Sequence, residues 1–136
     1  MHKFLLFLLV LAMLSCENKN LPEKIAITTN WEFKGVDTLD WQSARVPGNI
    51  FSDLLEKKMI PNPFIKTNED SVQWVSKKNW EYKTTFSLSK KQLQKKNIEL
   101  HFEGLDTYAT IYLNDSIILK ANNAFKKYTI DIKKSA

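Results

Sequence analysis

Few side chains in this 136-residue chain have the types and spacings that could do chemistry. Glu69 follows Asn68 in the segment from Ile60 to Ser76, which also holds Phe64, Trp74 and two prolines. A carboxylate works as general acid or base only where geometry and neighbours tune its proton, and no second carboxylate can be matched to Glu69. His2 lies in the opening apolar segment and His101 alternates within a strand pattern, so no histidine cluster exists for zinc. Serines are common, but no Ser-His-Asp set can be argued, and there is no glycine-rich phosphate loop. The residues therefore imply neither a metal nor a cofactor. The remaining signal is aromatic: Trp31, Trp41, Trp74 and Trp80. Trp31 and Trp80 are expected in a core, and Trp74 is expected to face a ligand or a neighbouring domain.

The elements that must position these residues are mostly strands. Ile98, Leu100 and Phe102 alternate with Glu99, His101 and Glu103; Ala109, Ile111 and Leu113 alternate with Tyr108, Thr110 and Tyr112. That period of two marks half-buried strands. A tight corner joins them, where Gly104 is expected to take a backbone conformation costly for other residues. Asn114-Asp115-Ser116 reads as a turn into Ile117, Ile118 and Leu119. Further strands are expected at Ile25–Thr29, around Trp31-Glu32-Phe33, from Trp80 to Leu88, and over Tyr128, Ile130 and Ile132. A lysine-rich hairpin carries Lys90-Lys91 and Lys95-Lys96. One short helix is expected, capped by Asn49, with Ile50, Phe51, Leu54 and Leu55 at helical spacing and Lys57-Lys58 in its last turn. Ile60 to Ser76 reads as a long loop, packed less tightly than the strands; loops of that length are usually functional or disordered.

At this length the chain is one domain or less, and its 43% hydrophobic and 26% charged residues suit a globular chain. The lysines behind the net charge of +5 are scattered or sit in turns, which speaks for solvated turns and against a nucleic-acid surface. Met1-His2-Lys3 and the apolar run Phe4 to Leu14 read as a signal segment, too short to span a bilayer. The run ends in Ser15-Cys16, and Cys16 is the only cysteine. This resembles a bacterial lipoprotein box, with Met13 where leucine is usual; the alternative is an ordinary signal with an incidental cysteine. The expected layout is a leader over 1–16, a tether over 17–22 and a β-sandwich domain over 23–136. The expected location is exported: periplasmic, or membrane-anchored as a lipoprotein of a Gram-negative bacterium, touching the membrane only through that lipid.

Glu103-Gly104-Leu105-Asp106-Thr107-Tyr108-Ala109-Thr110-Ile111-Tyr112-Leu113-Asn114 is similar to a segment in the N-terminal domain of family 2 glycoside hydrolases, most of all their β-mannosidase branch. The resemblance runs from about Trp31 to Ile132. It takes in Val46-Pro47-Gly48, Ser52-Asp53-Leu54-Leu55, Ile60-Pro61-Asn62-Pro63-Phe64, Thr67-Asn68-Glu69, Gln73-Trp74-Val75, Trp80-Glu81-Tyr82 and Asn122-Asn123-Ala124-Phe125 with Tyr128. It implies an all-β fold, a jelly-roll sandwich of the galactose-binding-like type, here incomplete at its C-terminal end. It also implies a carbohydrate partner reached through a parent enzyme. The two glutamates of a retaining glycosidase stand about 5 Å apart; in this family they sit on a later (β/α)8 barrel, which alone needs about 250 residues and is absent here. Asn68-Glu69 is therefore not the family's catalytic Asn-Glu pair, and the chain alone is expected to be inactive. With Trp74, which offers a flat face to a sugar ring, Asn68 and Glu69 are expected to border the parent's sugar pocket. The rival readings are a free-standing carbohydrate-binding lipoprotein, the same domain from a β-galactosidase or β-glucuronidase, and a purely structural domain.

Overall fold

A computed structural model describes residues 22–134; Cys16 and the leader lie outside the described residues. The chain divides into two compact units, one running to Lys83 and the other starting at Thr84.

The first unit is built on a three-stranded antiparallel sheet. Strand β1 (Glu32–Gly35) lies between β2 (Gln42–Ser43) and β3 (Trp80–Lys83). Glu32 pairs with both Ser43 and Lys83, and Phe33 with Gln42 and Tyr82. Phe33 points inward and is buried, as alternation along a strand requires. Helix α1 (Ile50–Glu56) is capped as expected: Ser52 N–H donates to Asn49 Oδ1 at 3.0 Å, and Asn49 N–H donates to Ser52 Oγ at 3.2 Å. It ends before Lys57, which caps it, and Lys58 turns the chain at a left-handed φ of 57°. Its Leu54 is fully buried, packed with Phe33, Ile60, Val72 and Val75, and flanked by Ala44, Ile50, Phe51, Trp80 and Tyr82. The turn before α1 needs its glycine, since a Cβ at Gly48 would overlap the Arg45 carbonyl oxygen.

Several expectations are corrected in this unit. Ile25–Thr29 is not a strand. Trp80–Leu88 is one only as far as Lys83, because it pairs only with the four residues of β1. Residues 60–76 are not one loosely packed loop. They fold into α2 (Asn68–Val72) and α3 (Trp74–Lys77), and Ile60, Val72 and Val75 belong to the core. Trp80 packs against that core, while Trp31 is half-buried outside the cluster, its Nε1 donating to the Ile27 carbonyl at 2.8 Å.

The second unit pairs its strands two by two. Strand β4 (Glu99–Phe102) is antiparallel to β7 (Tyr128–Asp131), and β5 (Ala109–Leu113) to β6 (Ser116–Ala121). The two strands of the expected corner thus belong to different sheets. Asn114 and Asp115, at φ 47° and 65°, form the two-residue loop between β5 and β6, with the left-handed geometry that suits strand twist. Ile111 stands opposite Leu119, and a register shift after it sets Tyr112 opposite Ile117, passing over Ile118. Ala109, Ile111 and Leu113 lie on the more buried face, as their spacing predicts. Gly104 does not behave as expected: no described glycine has a positive φ, and a Cβ there would meet the Ala124 carbonyl oxygen at an ordinary 3.6 Å. The lysine-rich segment is no plain hairpin; it forms α4 (Lys90–Leu93), capped reciprocally by Ser89 and Gln92. The strand-dominated class holds, but with four short helices among the described residues instead of one.

Candidate functional site

The segment from Met59 to Lys78 turns one side into the core and leaves another side to solvent. Ile60, Val72 and Val75 fasten it from below, while Phe64 is 95% exposed and Ile65 and Trp74 are 51% and 42% exposed. Local hydrogen bonds hold the path between these anchors. The Asn62 side chain accepts from Phe64 N–H at 3.0 Å, and the Asn62 carbonyl accepts from Asn68 Nδ2 at 2.9 Å and from Ile65 N–H at 3.2 Å. Asn68 therefore closes the turn that starts at Asn62-Pro63, and Lys66 crosses it at φ 53°.

The expected site residues sit along this segment. Asn68 opens α2, half-buried, with its amide committed to the Asn62 carbonyl. Glu69 is exposed in the first turn of α2, and its carbonyl accepts from Gln73 Nε2 at 3.3 Å. Asp70 is its neighbour, but consecutive helical side chains do not face each other, so the pair is not a catalytic dyad. Trp74 opens α3. Its ring lies 6.1 Å from that of Trp80, tilted by 42°, and the Lys78 Nζ is 5.8 Å from each ring centre. Lys78 also pairs with Asp37 at 2.9 Å, and this hydrogen-bonded ammonium lowers the Asp37 carboxyl below its ordinary value. Behind Trp74, Trp80 donates from Nε1 to the Val75 carbonyl at 3.0 Å, and its ring stands 6.1 Å from Phe33. The arrangement offers an exposed indole, an amide and carboxylates near a firm backbone: a surface that can hold a ligand by stacking and hydrogen bonding. Among the described residues no group of three or more His, Cys, Asp and Glu could hold a metal.

Two residues that support this surface were not singled out by their spacing. Asp53 in α1 is 2% exposed; its Oδ1 accepts from Arg45 N–H at 3.0 Å and its Oδ2 from the Tyr82 hydroxyl at 2.8 Å. It links the loop before α1 to β3, the strand that follows the Trp74 segment. Burial, and then the bonded and charged Asp53, raise the Tyr82 hydroxyl well above its ordinary value. The sequence signal was there, in an aspartate flanked by apolar helix residues and a tyrosine on an inward strand face, but their pairing spans 29 positions.

With this geometry in view, comparison with known proteins is direct. Residues 31–136 match the family model described as the glycosyl hydrolase 2 galactose-binding domain-like domain. The chain belongs to this family. The β-D-mannosidase of Dictyoglomus thermophilum, a solved structure, superposes on 85% of this chain with a TM-score of 0.82 and 39% identity, the match covering 14% of that protein. The galactose-binding-like β-sandwich type expected from the sequence is thereby borne out. β-Mannosidase B of Thermothelomyces thermophilus is 36% identical over 79% of this chain, and β-mannosidase of Rattus norvegicus is 30% identical over 97% of it. The match spans only 13% and 15% of those two relatives.

Proposed function

We propose that this domain serves as the non-catalytic N-terminal part of an exported, retaining exo-β-mannosidase that acts in the breakdown of mannose-containing glycans. What carries the reading is coverage: relatives named β-mannosidase align with 79% to 97% of this chain, yet the aligned part is 13% to 15% of them. The 111 to 132 residues aligned leave the bulk of such an enzyme elsewhere, with room for a catalytic barrel of about 250 residues. In this reading both catalytic carboxylates lie outside the chain, and Asn68, Glu69 and Trp74 border the sugar pocket. Asn68 keeps the turn in place, while the Trp74 face meets a sugar ring. Export rests on the apolar run Phe4 to Leu14, and a lipid anchor on Cys16 directly after it.

The test is a chimera in which residues 31–134 replace the aligned segment of the solved β-mannosidase. The chimera is expected to hydrolyse an aryl β-mannoside, and Trp74→Ala is expected to lower its kcat/KM roughly tenfold, about 1.4 kcal/mol of lost transition-state binding. Glu69→Gln should leave kcat within a small factor of the parent. The 136-residue chain by itself should show no turnover. Turnover by the chain alone that disappears in Glu69→Gln overturns the reading.

A further inference from the structure

Lys78 stands where three parts of the first unit come together. It follows α3 directly, its Nζ lies 5.8 Å from the ring centres of both Trp74 and Trp80, and it bonds Asp37 Oδ1 at 2.9 Å. Asp37 comes from the turn just after β1, where the Thr38 N–H and hydroxyl both donate to the Gly35 carbonyl, at 3.0 and 2.9 Å. Gly35 makes room for the pair: a Cβ there would stand 3.0 Å from Asp37 Oδ1 and 3.1 Å from Lys78 Cε, closer than side chains normally approach. The Val36 N–H donates to the Asn79 carbonyl at 3.1 Å, which keeps the two chain segments in step. Trp80 is anchored separately, through Val75 and Phe33. The exposed Trp74 indole has the ammonium of Lys78 and the tilted ring of Trp80 beside it.

We propose that Asp37 and Lys78 are positioning residues for Trp74: the carboxylate holds the ammonium, and the ammonium holds the exposed indole against Trp80, so that a hexose ring meets that indole in one set orientation. The sugar-facing purpose rests on the functional reading given above; the positioning stands on the geometry alone. A charge set against an aromatic face attracts through the ring's quadrupole. Arginine can replace lysine in that role because its guanidinium both stacks and pairs with carboxylates. Methionine keeps much of the chain's bulk and loses the charge.

The experiment is acrylamide quenching of tryptophan emission on the 136-residue chain. The Trp74 part is obtained by difference from Trp74→Phe. In Lys78→Met the quenching constant of that part is expected to rise roughly twofold, as a held indole is released; Lys78→Arg should keep the parent value. Asp37→Asn, a change at an exposed side chain outside the core, should also raise it, and repeats the test should Lys78→Met disturb folding. An unchanged constant in Asp37→Asn overturns the proposal, and so does an equal rise in Lys78→Arg and Lys78→Met. Trp74→Ala in the chimera stays a separate measurement: an unchanged kcat/KM there removes the sugar-facing reading, while quenching still decides the positioning.

Discussion

Up to Lys83 the protein gathers Phe33, Leu54, Ile60, Val72 and Val75 into one buried cluster, drawn from a strand, three helices and a turn. From Thr84 onward, the buried hydrophobic side chains among the described residues are Ala121 and Ile132, and order rests on β4 with β7 and β5 with β6. Side-chain burial carries the first unit; strand pairing, with half-buried faces, carries the second. Buried apolar area stabilises in proportion to what leaves water, whereas a two-stranded pair is marginal unless it packs on something more. The surface that bears Asn68, Glu69 and Trp74 lies in the first unit, fastened by three of its core residues. A site on such a foundation can leave an indole in solvent without losing its backbone path.

The sharpest way to break this comparison is to cut both units alike. Leu54→Ala, in the closed cluster, is expected to cost about 2–5 kcal/mol. Ile111→Ala, on a half-buried strand face, should cost about 1–2 kcal/mol, and Thr110→Ala on its exposed face within about 0.5 kcal/mol. Urea unfolding measures all three. Equal losses for Leu54→Ala and Ile111→Ala would mean that the two units do not differ in how they are held.

A smaller effect probes the polar knot inside the first unit. Tyr82→Phe removes the hydrogen bond to Asp53 and should cost about 1–2 kcal/mol. The Tyr82 hydroxyl is raised above its ordinary 10.0, so the folded state keeps a proton that the unfolded chain gives up. Its contribution is fully present below pH 10.0 and is lost as pH rises from there toward the folded value. Melting temperatures taken above pH 10 should therefore fall faster for the parent than for Tyr82→Phe; parallel curves would remove Tyr82 from the account. The smallest effect belongs to the second unit: Gly104→Ala is expected to change stability by no more than about 0.5 kcal/mol, since no left-handed backbone or close neighbour opposes the methyl group. A loss of several times that, in the same urea titration, would restore the costly corner.

Local patterns settled much of this protein without any structure. Alternation in Ala109-Thr110-Ile111-Tyr112-Leu113 assigned both its strand and its faces, because side chains on a strand must alternate. Asn49, three residues before Ser52, was enough for the cap of α1, since a cap is made within one turn of chain. The run of words from Val46-Pro47-Gly48 to Asn122-Asn123-Ala124-Phe125 was enough for the family. What tertiary structure alone decided involves residues far apart in the chain. Val72 and Val75 carry no clean period, yet the core formed by Phe33 and Leu54 gives α2 and α3 a surface to pack on. Short helices of five and four residues are not stable by themselves, so no local signal could have announced them. Gly104 looked special in a string and is ordinary in space, whereas Gly35 drew no notice and makes room for Asp37 and Lys78. Asp53 meets Tyr82 across 29 positions, and Lys78 meets Asp37 only once β1 and β3 are side by side. Such partners are chosen by packing, after the strands have found their register, and packing is not written in any single stretch of sequence.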